Sequence, residues 1–132
     1  MSVPSVDNNK ILIVDDEAQL ADIASAMLAK YGYKIVTASS GVQALQILKG
    51  PLDIDLLFTD IIMPGGVDGY QLAQQAIEIN PDLKILVASG YTNKEWSEEA
   101  EEDELIRSLS ENLLQKPYKR DTLITKIREL LD

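Results

Sequence analysis

The chain contains no cysteine and no histidine among its 132 residues. Without thiols there is no disulfide framework and no thiolate nucleophile. Without imidazole there is no histidine general base and no histidine-ligated metal. Any chemistry therefore rests on carboxylates, hydroxyls and lysine. Positive charge is also scarce: 12 Lys and Arg stand against 22 Asp and Glu, for a net charge of -10. That excess argues against direct binding to nucleic acid or to an anionic membrane, both of which attract basic surfaces. No apolar run approaches the roughly 20 residues that span a bilayer, and Met1 to Asn9 has neither the basic start nor the apolar core of a targeting segment. A cytoplasmic protein fits these absences. Hydrophobic residues make up 45% of the chain, enough for one core of ordinary size. The expected organisation is a polar, turn-rich flexible leader over 1–9 and one domain over 10–132.

The pattern within that domain alternates. Ile11-Leu12-Ile13-Val14 is a buried-strand run that ends in Asp15-Asp16-Glu17. Leu20, Ile23, Ala24, Met27, Leu28 and Tyr31 then follow helical spacing with one buried face, stopped by Gly32. A strand over 34–38 leads to a helix opened by Ser39-Ser40-Gly41 and closed at Gly50-Pro51. The run Leu56-Leu57-Phe58-Thr59 delivers Asp60 into a Pro64-Gly65-Gly66 turn. The next helix buries Leu72, Ala73, Ala76 and Ile77 and is broken at Asn80-Pro81, and a strand over 84–88 ends at Ser89-Gly90. Seven acids between Glu95 and Glu104 make Asn93 to Ser110 a mostly solvated helix. A strand over 112–115 ends at Lys116-Pro117, and a last helix buries Leu123, Ile124, Ile127, Leu130 and Leu131. Five strands alternating with five helices imply an α/β, doubly wound parallel sheet with helices on both faces, whose strand carboxyl ends share one edge.

Asp15, Asp16, Asp60, Ser89 and Lys116 all follow predicted strand ends, so the topology gathers them on that edge. Singly, each has a structural explanation as a helix start, a cap or a surface cation. Jointly, three neighbouring carboxylates repel unless a cation neutralises them, and an all-oxygen site suits Mg²⁺ or Mn²⁺. Magnesium leaves room for phosphate oxygens, which the Lys116 ammonium and the Ser89 hydroxyl would meet. Asp60, on the central strand, is the natural nucleophile for a transient acyl phosphate.

Four ordered motifs, Ile-Leu-Ile-Val-Asp-Asp-Glu at 11–17, Asp-Ile-Ile-Met-Pro-Gly-Gly-Val-Asp-Gly at 60–69, Val-Ala-Ser-Gly-Tyr at 87–91 and Lys-Pro-Tyr at 116–118, resemble two-component receiver domains. The motif style is most similar to that of receivers attached to hybrid sensor histidine kinases. The resemblance implies a flavodoxin-like sheet of order 2-1-3-4-5 and a phosphoacceptor in a phosphorelay. By that resemblance Asp60 is the phosphoacceptor, Asp16 and Asp60 are direct Mg²⁺ ligands, Asp15 holds the metal through water, and Ile62 contributes a backbone carbonyl. Ser89 and Lys116 are the hydroxyl and ammonium that meet the phosphoryl group. The implied partner is a histidine kinase or histidine phosphotransfer domain, with the chain a monomer or a phosphorylation-dependent dimer. On this reading it assists its own phosphorylation and dephosphorylation without being a turnover enzyme.

Two departures from the family pattern stand out. The loop from Asp60 to Gly69 is one residue longer than in the commonest receivers, and Leu113 occupies the position of the family's aromatic switch residue, which moves attention to Tyr91, Tyr118 and the acidic fourth helix. Two alternatives compete with a phosphoacceptor. An Mg²⁺-dependent aspartyl-phosphate phosphohydrolase of the haloacid dehalogenase kind carries its nucleophile after the first strand, with a second acid two residues on. Here Asp15 and Asp16 are adjacent, and the central acid follows the third strand. A non-phosphorylated receiver-like interaction module predicts loss of an acid or of the lysine, and none is lost.

Overall fold

The computed structural model describes residues 9–50, 53–60, 69–89, 114–115 and 118–131. Five parallel strands, β1 (Lys10–Val14), β2 (Lys34–Ala38), β3 (Leu56–Asp60), β4 (Lys84–Ser89) and β5 (Leu114–Gln115), form one sheet in the order β2-β1-β3-β4-β5. Four helices are described: α1 (Ala18–Ala29), α2 (Gly41–Lys49), α3 (Gly69–Ile79) and α4 (Arg120–Leu131). The helix expected within 93–110 lies outside the described residues, as do Asn112 and Leu113 of the expected last strand.

The interiors of β1, β3 and β4 are continuously apolar because both sheet faces are covered there, whereas the edge strand β2 keeps Lys34 and Thr37 exposed. Successive side chains point to opposite faces. Leu12, Val14, Leu57 and Val87 therefore pack on one side with Ala44, Leu45, Leu72, Ala73 and Ala76 of α2 and α3. Ile11, Ile13, Leu56, Phe58, Leu86 and Ala88 pack on the other with Ala21, Ala24, Leu28, Leu123, Ile124 and Ile127 of α1 and α4. Each leucine or isoleucine buried in this way contributes roughly 1.5–3 kcal/mol. Asp15 and Asp60 continue the second row by the same alternation, so the fold sets them at the carboxyl edge on the α1 and α4 side.

The elements stop where local chemistry dictates. Gly32, at φ 94, takes the left-handed turn that ends the α1 region. At the start of α2 the Ser40 hydroxyl accepts the Gln43 N–H at 3.1 Å, and the Gln43 Oε1 accepts the Ser39 N–H at 2.8 Å. This reciprocal arrangement satisfies amide groups that the first helical turn leaves unpaired.

One expectation requires correction. Leu20, Ile23 and Tyr31 were expected on the buried face of α1, but they are 37%, 56% and 41% exposed. The buried row is Ala21, Ala24 and Leu28. Ala24 and Leu28 are buried as expected and Met27 packs partly against the core, so the buried stripe is shifted from Leu20 and Ile23 toward Ala21. Two alanines bring α1 close to the sheet, and Leu20, Ile23 and Tyr31 turn outward. In α4, Leu130 and Leu131 are only partly buried, while Leu123, Ile124 and Ile127 carry the core. No described helix is long and apolar enough to cross a membrane.

Candidate functional site

The register of β1 on β3 pairs Val14 with Thr59, which places Asp15 beside Asp60 at adjoining strand ends. Asp15, Asp16 and Asp60 each offer a carboxylate oxygen, and these atoms all lie within 4.8 Å of one another. Asp15 and Asp60 are half-buried, and Asp16 is exposed. The turn after β1 holds the first two acids: the Asp15 N–H donates to the Ala38 carbonyl at 3.2 Å, and the Glu17 N–H donates to Asp15 Oδ1 at 2.9 Å. Asp15 thus closes the turn that leads into α1 with the same carboxylate that it turns toward Asp60. The sequence-predicted convergence of these acids is present in the geometry.

Thr59, which sequence reasoning left aside, and Tyr118, which it named only in place of the missing aromatic switch, also shape this edge. Thr59 is the buried polar residue of β3, 1% exposed, and its hydroxyl donates to the Asp60 carbonyl at 3.0 Å. That bond fixes the backbone at the very residue whose side chain enters the site. Tyr118 packs its ring edge-on against Phe58, with centroids 5.8 Å apart and planes at 68°. Tyr118, Leu20 and Ala24 share with Asp15, Thr59 and Asp60 a narrow cleft of about 10 Å³. A space of that size is close to one water molecule. The signal for Thr59 was its place on a continuously apolar strand, where a hydroxyl needs an acceptor. The signal for Tyr118 was its position just after Lys116-Pro117.

Ser89 closes β4 in register with Gln115 of β5, on the same sheet edge, with its backbone alone described. Lys116 and the Ile62 carbonyl lie outside the described residues.

The donor set fits a hard divalent cation. Paired carboxylate charges at about 4.8 Å repel by roughly 1 kcal/mol in bulk water and by about 3 to 4 kcal/mol at the effective dielectric typical near a protein surface. The exposed Asp16 sits at the weaker end of that range. A dication reverses the sign of this energy, and oxygen ligands in a chain free of histidine and cysteine match magnesium or manganese rather than zinc or copper.

Comparison with known proteins places this geometry in a family. The model of the response regulator receiver domain matches residues 11–128. Response regulator SaeR of Staphylococcus aureus is 30% identical over 124 residues, covering 92% of this chain and 50% of that protein. The chain thus spans about half the length of that curated relative. Among solved structures, a response regulator receiver protein from Sinorhizobium medicae is similar with a TM-score of 0.77 and 32% identity, covering 93% of this chain and 94% of the other. Response regulator TrrA from Thermotoga maritima, solved in complex with Mg²⁺-BeF, gives 0.75 and 28%, covering 92% and 98%. With the match spanning nearly all of the strands and helices described above, the chain belongs to the response regulator receiver domain family.

Proposed function

We propose that this receiver domain accepts a phosphoryl group on Asp60 in a two-component phosphorelay. The observation that carries the reading is the meeting of Asp15, Asp16 and Asp60 within 4.8 Å at the carboxyl edge of the sheet. Asp16 and Asp60 hold Mg²⁺, or Mn²⁺, directly, with Asp15 acting through water and the Ile62 carbonyl completing the protein's share. When bound, such a cation would neutralise the carboxylates and the charge that spreads over the phosphoryl oxygens in transfer.

In that transfer an Asp60 carboxylate oxygen attacks phosphorus and forms the new P–O bond. The P–N bond to the donor imidazole breaks, its electron pair stays on nitrogen, and that nitrogen regains a proton. Lys116 pairs with the phosphoryl oxygens, and the Ser89 hydroxyl donates to one of them. The Thr59 bond to the Asp60 carbonyl holds the nucleophile's backbone while this occurs. The donor is a histidine kinase or a histidine phosphotransfer domain, and neither nucleic acid nor a membrane is a partner. Residues 10–132 form the receiver unit after a leader over 1–9, in the cytoplasm, as a monomer or a phosphorylation-dependent dimer. The protein assists its own phosphorylation and hydrolysis and signals through its altered surface.

The test is the intact mass after incubation with acetyl phosphate, with Mg²⁺ and with EDTA, for the native chain and Asp60→Asn. A gain of one phosphoryl group that needs both the metal and Asp60 is expected. A native chain that gains nothing, together with an unchanged spectrum on adding beryllofluoride and Mg²⁺, would sink the reading.

A further inference from the structure

A large apolar side chain stands where the core does not need one. From α1 the sheet takes Ala21, Ala24 and Leu28, and Leu20 is left 37% exposed. Leu20 nevertheless lines the narrow cleft of about 10 Å³ beside the acids, together with Asp15, Thr59 and Asp60. Ala24, Phe58 and Ala88 line it too but are at most 4% exposed, and Tyr118 is half-buried. Among the described residues of the cleft, Leu20 is therefore the apolar wall with most contact to solvent. Its backbone is tied to the acids themselves. The Leu20 N–H donates to the Glu17 carbonyl at 3.1 Å, and the Glu17 N–H donates to Asp15 Oδ1 at 2.9 Å. The turn that sets Asp15 thus also sets this wall.

We infer that Leu20 limits how much water reaches Asp15 and Asp60 from the α1 side, and thereby tunes how strongly the site holds a divalent cation. This rests on the proposed metal site and adds a residue to it. The energy between two charges changes about fourfold between the effective dielectric near a protein surface and that of bulk water. Asp16 is exposed, which leaves the site open on one side to the waters that magnesium keeps. On the cleft side there is room for about one water. Shortening Leu20 to alanine opens that volume to solvent, so that the carboxylates are hydrated from both sides and attract a cation less.

The test is titration calorimetry with MgCl₂ alone, at low and at raised salt, on the native chain, Leu20→Ala, Leu20→Met and Ile23→Ala. Leu20→Ala should bind Mg²⁺ about fivefold more weakly, and its affinity should fall more steeply with salt, because a better-hydrated site is more fully screened. Leu20→Met keeps the volume and the apolar surface and should stay within about twofold of the native chain. Ile23→Ala should do the same, since Ile23 lies further along α1, is 56% exposed and is not among the described residues of the cleft.

Native affinity in Leu20→Ala would overturn the inference. So would an equal loss in Ile23→Ala or in Leu20→Met, either of which makes the effect a loosening of α1 and not the opening of the cleft. If Leu20→Ala does not fold, Leu20→Val must show a smaller loss in the same direction, and native affinity there would overturn the inference as well. Asp60→Asn separates the two readings. A native chain that binds no Mg²⁺, or that binds it equally well after Asp60→Asn, fails the metal site itself. Binding that is lost in Asp60→Asn but unchanged in Leu20→Ala fails only this inference.

Discussion

The two ends of the β-sheet use aspartate in opposite ways. At the amino edge, just before β3, Asp55 Oδ2 accepts the Lys10 N–H at 2.8 Å. Its own N–H donates to the Lys10 carbonyl at 2.9 Å, and its carbonyl accepts the Lys84 N–H at 3.2 Å. One residue there fastens β1, β3 and β4 in register, and its charge is matched by a backbone donor. At the carboxyl edge three carboxylates crowd within 4.8 Å of one another. The first arrangement stabilises the chain as it stands, whereas the second stores repulsion that a cation and a phosphoryl group can relieve. An aspartate's role is therefore read from what faces its oxygens, and not from its presence at a strand end.

The largest contrast between the edges should appear on adding magnesium. At a free concentration 100 times the dissociation constant, binding to the folded state alone stabilises by about 2.7 kcal/mol. Thermal melts with and without Mg²⁺ should show this gain in the native chain and in Asp55→Ala. The gain should be absent from Asp60→Asn. An equal magnesium shift in Asp60→Asn would place the ion somewhere else.

Next in size is the amino edge. Asp55→Ala leaves the Lys10 N–H without its acceptor in a half-buried setting, and urea unfolding should show a loss of roughly 1–2 kcal/mol. Phosphorylation by acetyl phosphate should proceed at the native rate in the folded fraction. A loss below a few tenths of a kcal/mol would mean that water replaces the carboxylate at no penalty.

The smallest effect has the opposite sign. In the absence of divalent ions, Asp16→Asn removes one repelling charge and should raise stability by up to about 1 kcal/mol, since the residue is exposed and partly screened. The gain should shrink as salt rises. A destabilised Asp16→Asn in metal-free buffer would show that Asp16 serves the fold as Asp55 does.

Much of this division was legible in the sequence. Strands flanked on both sides by helices need apolar residues at every position, so Ile11 to Val14 and Leu56 to Phe58 announced a covered parallel sheet, and such a sheet gathers Asp15, Asp16 and Asp60 on one edge. The orientation of α1 was legible in part: Ala24 and Leu28 are buried as expected, whereas Leu20, Ile23 and Tyr31 are not. Leu20 and Ile23 fit the same helical spacing as Ala21, and the choice between them is made by how closely the helix approaches the sheet, a tertiary effect that favours small residues. Nor could periodicity reveal Asp55 as a staple, because its partner Lys10 is 45 residues away and the bond is made by a backbone amide. The part of Thr59 was hidden for a similar reason: it reads as an ordinary strand residue until its bond to the Asp60 carbonyl is seen, while Tyr118 was named without its contact with Phe58.

The most direct measurement of the division between the two edges is fluorine-19 NMR of beryllofluoride with Mg²⁺, added to the native chain, Asp60→Asn and Asp55→Asn. A protein-bound fluoride signal should appear in the native chain and in Asp55→Asn, require magnesium, and be missing from Asp60→Asn. A bound signal that survives Asp60→Asn, or that forms without magnesium, would contradict the assignment of the carboxyl edge as the phosphoryl site.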